Sequence, residues 1–121
     1  MFYSSYFLSV VSVTNFYLFT IKNMKMLTKE IEKRLPALYS QEKNPDPTVQ
    51  VKFFNPAGSW TWYGIEYDPE QRLFFGLVDG FEKEMGYFSL DELESFKGAF
   101  GLGIERDLWF SPKPLSEVKR G

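Results

Sequence analysis

The stretch Val49–Val78, VQVKFFNPAGSWTWYGIEYDPEQRLFFGLV, restricts the fold of this chain more than any other. Much of it alternates at the period of two that a half-buried strand requires. The segments NPAGS and DPEQ interrupt it with the Asn, Pro, Gly and Asp residues that turns favour. The spacing predicts an antiparallel meander of three strands, VQVKFF, SWTWYGIEYD and RLFFGLV. In the first, Val49, Val51 and Phe53 alternate with Gln50, Lys52 and Phe54. In the second, Trp60 and Trp62 share one face, and Thr61, Tyr63, Ile65 and Tyr67 the other. The third is apolar on both faces, which predicts a central, covered strand. Gly64 and Gly76 lie inside strands, where glycine marks a bulge or a close backbone approach.

The flanking segments predict short helices. In LTKEIEKRLPAL, Thr28 is an N-cap, Leu27, Ile31 and Leu35 recur at helical spacing, and Pro36 stops the helix. In SLDE, Ser89 and Glu92 form a capping box, with Phe88 and Leu93 as its hydrophobic staple and Gly98 as the stop. A strand at Met85–Phe88 precedes that helix, another is expected around Asp107–Phe110, and a turn of helix follows Leu115. The expected fold is therefore α+β. An antiparallel sheet of about four strands carries a short N-terminal helix and a second helix near 89–97.

Residues 1–23 contrast with the rest, since no charged side chain precedes Lys22. Residues 2–21 are about long enough to span a bilayer, and Lys22, Lys25 and Lys29 would leave the following domain cytoplasmic. Four Ser, two Thr and an Asn interrupt the run, and no basic region precedes it. Three readings stay open: a reading frame opened ahead of a start at Met24 or Met26, a membrane anchor, or an added strand. Residues 24–121 form the expected single compact domain.

The chain has no histidine and no cysteine. That excludes Ser-His-Asp and Cys-His catalysis, disulfides and thiolate zinc sites. An enzyme of this composition works with carboxylates, Lys, Arg or Tyr, and no catalytic motif is present. Between Glu66 and Ser95, nine acids face only Arg72 and Lys83. Glu66, Asp68, Glu70, Asp79, Glu82, Glu84, Asp91 and Glu94 make a candidate acidic face for a protein partner, with Glu92 assigned to the helix start. Glu82 with Glu84, or Asp91 with Glu94, has the chemistry to hold magnesium or act as an acid–base pair, but no metal or cofactor is assigned. Trp60 and Trp62 are a candidate stacking surface for single-stranded nucleic acid, although only Lys52 and Arg72 supply positive charge nearby. GAFGLG lacks the preceding strand and following Lys of a phosphate loop and reads as a helix stop. Arg106 beside Asp107 predicts an arginine buried against a carboxylate.

The segments MLTKEIEKRLPALYSQE, VKFFNPAGSWTWYGIEYDPE, LFFGLV, MGYFSLDELE and IERDLWFSPKPLSE resemble the bacterial family catalogued as domain of unknown function 2958. The resemblance spans roughly Met24–Val118. It implies a small single-domain bacterial protein of the kind associated with plasmids and other mobile elements. It implies no activity and no catalytic residue. The reading that results is a non-enzymatic interaction module acting through its acidic face, plausible as a mobile-element accessory protein. A single-stranded nucleic-acid binder and a carboxylate or magnesium-dependent enzyme are the alternatives.

Overall fold

A computed structural model describes residues 25–121; the expectations for residues 1–23 lie outside them. Helix α1 (Lys29–Arg34) leads by a long loop to strands β1 (Thr48–Val49), β2 (Val51–Phe54), β3 (Thr61–Asp68), β4 (Leu73–Asp79) and β5 (Lys83–Ser89). Helix α2 (Leu90–Ser95), a short turn at Ala99–Gly101, β6 (Glu105–Arg106), β7 (Lys113–Pro114) and helix α3 (Leu115–Arg120) complete the chain. One antiparallel sheet has the order β5-β4-β3-β2-β6, and β1 pairs with β7 in a separate ribbon. The α+β architecture and the meander are as the sequence predicts, with five strands in the main sheet rather than four.

Both predicted caps form. Thr28 Oγ1 accepts from the Ile31 N–H at 3.2 Å, and Ser89 Oγ from the Glu92 N–H at 3.2 Å. Each occupies a backbone donor that a helix start leaves unpaired. Helix α2 ends at Ser95, two residues before the expected boundary, because Phe96 turns extended (φ −65°, ψ 133°).

The sheet is covered on both sides; β3 is its central strand, and β4, expected at the centre, lies between β3 and the edge strand β5. On the front face, Val51, Phe53, Tyr67, Phe74 and Phe88 pack against Leu35, Leu90, Leu93 and Ile104. Phe53 and Phe74 are fully buried, each contributing about 1.5–3 kcal/mol of transfer free energy. On the back face, Ile65 and Leu77 meet Val49 and the α3 residues Leu115 and Val118. Asp46 fixes α3 there, accepting from the Ser116 N–H at 2.8 Å and the Ser116 hydroxyl at 2.7 Å.

Three local features depart from simple alternation. The strand predicted as VQVKFF breaks at Gln50, so Val49 serves the back core while Val51 and Phe53 serve the front. The Asp107–Phe110 segment is a turn, with the Asp107 carboxylate accepting from the Trp109 N–H at 2.9 Å, and the strand lies one step earlier at Glu105–Arg106. Most consequential is a bulge in β3. Gly64 pairs with Gly76, but the next pair is Glu66 with Phe75, so Ile65 has no counterpart. Tyr67 thereby faces the front core beside Phe74, on the same face as Trp62 and not with Tyr63 as strict alternation predicts. Gly76 makes the bulge possible, because a Cβ there would lie 1.8 Å from the Tyr63 carbonyl oxygen.

Candidate functional site

The acidic residues do not form one face. Glu66 is buried at 4% exposure, because the bulge turns it to the back of the sheet. There its carboxylate accepts from the Tyr39 N–H at 3.1 Å and the Gln41 N–H at 2.7 Å. Tyr39 has φ 70°, a left-handed conformation in which neighbouring backbone N–H groups converge on an anion. Glu66 therefore anchors the α1–β1 loop and leaves the candidate interaction surface. Asp68 is similarly occupied: it accepts from the Glu70 N–H at 3.0 Å and the Gln71 amide at 2.6 Å, closing the β3–β4 turn. Glu70 is exposed in that turn.

Asp91 and Glu94 project from α2 and both pair with Arg72. Two carboxylates on one guanidinium leave that corner near −1, and the pairs are exposed enough to contribute about 1 kcal/mol or less each. Asp79, Glu82 and Glu84 lie at the other end of β4, across its seven residues, roughly 20 Å away. The acids thus fall into two groups at opposite ends of β4, with Asp91 and Glu94 already paired to Arg72.

At that far end the two sequence candidates meet. Trp60 and Trp62 stand 6.1 Å apart between ring centroids, and Trp60 receives Phe81 edge-on at 5.3 Å. Trp62 packs on the front core and pairs across the sheet with Val78, itself paired with Glu84. Trp60 lies over Gly80 so closely that a Cβ there would meet the indole at 2.7 Å. Phe81, at the hairpin tip, is 95% exposed. Lys83 is the hairpin's one cation, and its ammonium reaches the main-chain oxygens of Lys119 at 3.3 Å and Gly121 at 3.5 Å. The tip is an exposed aromatic ring on a tryptophan support, bordered by Asp79, Glu82 and Glu84.

Trp60 and Trp62 are both half-buried, so they serve as support, and Phe81 supplies the free ring. Phe81 was not among the residues the sequence singled out, although an aromatic in the turn DGFE, where polar residues belong, was a readable signal. Three carboxylates around these rings are the wrong sign for a phosphate backbone. Among the described residues, no group of three or more acids converges as a metal site, and no helix is long and apolar enough to cross a membrane.

The model of the family described as Protein of unknown function (DUF2958) matches residues 19–119. The chain belongs to this family. That match covers the whole sheet, all three helices save the last residue of α3, and the hairpin tip. No curated protein and no solved structure matches the chain. The DUF2958 match begins at Phe19, inside the apolar N-terminal stretch and five residues before the expected boundary at Met24.

Proposed function

We propose that the protein is a non-enzymatic interaction module that docks a basic protein surface through the β4–β5 tip. The observation that carries this is Phe81: a large apolar ring, 95% exposed, that the fold holds out on Trp60 in a hairpin end carrying Asp79, Glu82 and Glu84. Interfaces concentrate their binding energy in such aromatic anchors, with charged rims that steer the partner. Asp79, Glu82 and Glu84 call for lysines or arginines around an apolar recess. The role as a cytoplasmic mobile-element accessory protein rests on the family alone. Catalysis is the weaker reading because the chain lacks His and Cys and its acids are dispersed or already bonded.

Site-specific photo-crosslinking from residue 82 of the full chain in bacterial cells tests the proposal. A specific protein adduct is expected, lost in Phe81→Ala and weakened by Asp79→Lys with Glu84→Lys. An anchor of this type is worth about 2 kcal/mol, or roughly 30-fold in affinity for the purified adduct partner. Undiminished capture by Phe81→Ala and by the charge-reversed protein sinks the docking surface. Salt-sensitive binding of single-stranded DNA, lost in Trp60→Ala, would instead favour the nucleic-acid reading.

A further inference from the structure

A cavity of about 850 Å³ opens on the front side, between the residues leading into α1, the end of α2 and the loop before β6. Its apolar lining includes Leu27, Phe96, Leu102 and Ile104. Its charged lining is mostly basic. Lys25, Lys97 and Arg106 line it against Glu105, while Arg72 and Glu94, also in its wall, are engaged with each other and with Asp91.

Arg106 is the unusual member. The sequence predicts it buried against a carboxylate, but its neighbour Asp107 pairs with Lys52 at 3.4 Å instead. Arg106 Nη1 is sealed from solvent and has no hydrogen-bond partner among the described residues. Burial pushes the guanidinium pKa below its ordinary value. Glu30 and Asp107 line a smaller depression that also touches Arg106, yet neither forms an ion pair with it. Residues 1–24 contain no Asp or Glu, so they hold no carboxylate for it either. A guanidinium partly removed from water with no counter-charge is costly, and its planar fork matches carboxylate and phosphate oxygens. A negative group from outside the chain would supply the partner that no carboxylate of the described residues provides.

We infer that this cavity is a binding site for a small organic anion. Its phosphate or carboxylate group sits against Arg106, assisted by Lys25 and Lys97, and its apolar body lies on Leu27, Phe96, Leu102 and Ile104. The site is separate from the hairpin tip, and its ligand is a small molecule and not a protein.

Phenyl phosphate and benzoate, each an anion carrying a ring, are suitable probes, with phenol and inorganic phosphate as controls. Titrated into the isotope-labelled full chain, at least one of the two probes should shift the Gly101–Arg106 amide resonances saturably below about 10 mM. Which of them binds more tightly assigns phosphate or carboxylate as the preferred group. Phenol should leave these resonances in place, and inorganic phosphate should bind more weakly than phenyl phosphate. Arg106→Met should lower affinity about tenfold or more. Lys97→Glu, on an exposed side chain, should weaken binding without unfolding the protein, and it stands as the decisive variant if Arg106→Met does not fold. Absence of saturable shifts with both probes overturns the inference. So does unchanged affinity in folded Arg106→Met, or in Lys97→Glu where that variant decides, and so does phenol binding as tightly as the anions.

Discussion

Replacing Glu66 with Gln isolates the role of one buried carboxylate with almost no change of shape. The native carboxylate accepts from two backbone N–H groups, at 3.1 Å from Tyr39 and 2.7 Å from Gln41. The amide keeps one acceptor and turns an NH₂ donor toward the other N–H. A hydrogen bond to a charged acceptor contributes about 1.5–3 kcal/mol net against about 1 for a neutral one. One such bond is lost and the second weakened, a destabilisation of about 2 kcal/mol once partial access of water to the loop is allowed for. In a domain of about 100 residues this lowers the melting temperature by about 8–16 °C. Thermal melts followed by circular dichroism give the global effect. Hydrogen exchange at the Tyr39 and Gln41 amides gives the local one, and both amides should exchange faster in the variant. A melting point within about 2 °C of the native value, with unchanged exchange at those amides, would refute the anchoring role.

Two further substitutions probe the bulge and the α3 attachment. Gly76→Ala places a Cβ 1.8 Å from the Tyr63 oxygen, so a loss of about 4 kcal/mol or more is expected; a folded variant within about 1 kcal/mol of native in urea melts contradicts the pairing described for β3 and β4. The hydrogen bonds from Ser116 hold the Asp46 carboxyl below its ordinary value of 3.8, so its stabilising effect is present above that value and is lost as pH falls through the lower folded value. Melting temperature against pH should therefore drop more steeply below pH 4 in the native chain than in Asp46→Asn, and identical acid limbs would count against the assignment.

The elements written in local signals were legible in the sequence. The caps at Thr28 and Ser89 need only residues within three positions, and the meander needs only alternation and turns. Features that depend on distant partners were not. Alternation alone would place Glu66 beside Trp62, and what decides otherwise is a bulge that Gly64 and Gly76 announce without fixing its position. The donors that then bury Glu66 are 25 and 27 residues upstream. Charge counting grouped acids that a seven-residue strand holds apart. It also missed that Arg72 gathers Asp91 and Glu94. Arg106 shows the same limit from the opposite direction: the adjacent Asp107 suggested a partner, but Asp107 turns to Lys52, which only the β2–β6 pairing brings near.

The unmatched residue in β3 also divides the chain by its tolerance of changes in length. Up to Gly64 the even-numbered residues of the strand look to the front, whereas beyond the bulge the odd-numbered Tyr67 does. Deleting Ile65 removes the bulge yet keeps Glu66 opposite Phe75 and Tyr67 opposite Phe74, so it costs one back-core side chain and not the facing of the strand. A one-residue deletion in the Pro69–Gln71 turn leaves both parities intact, because each strand keeps its own count. Loops of this fold are therefore free to drift in length, whereas β3 can lose a residue and keep both its facings only at the bulge.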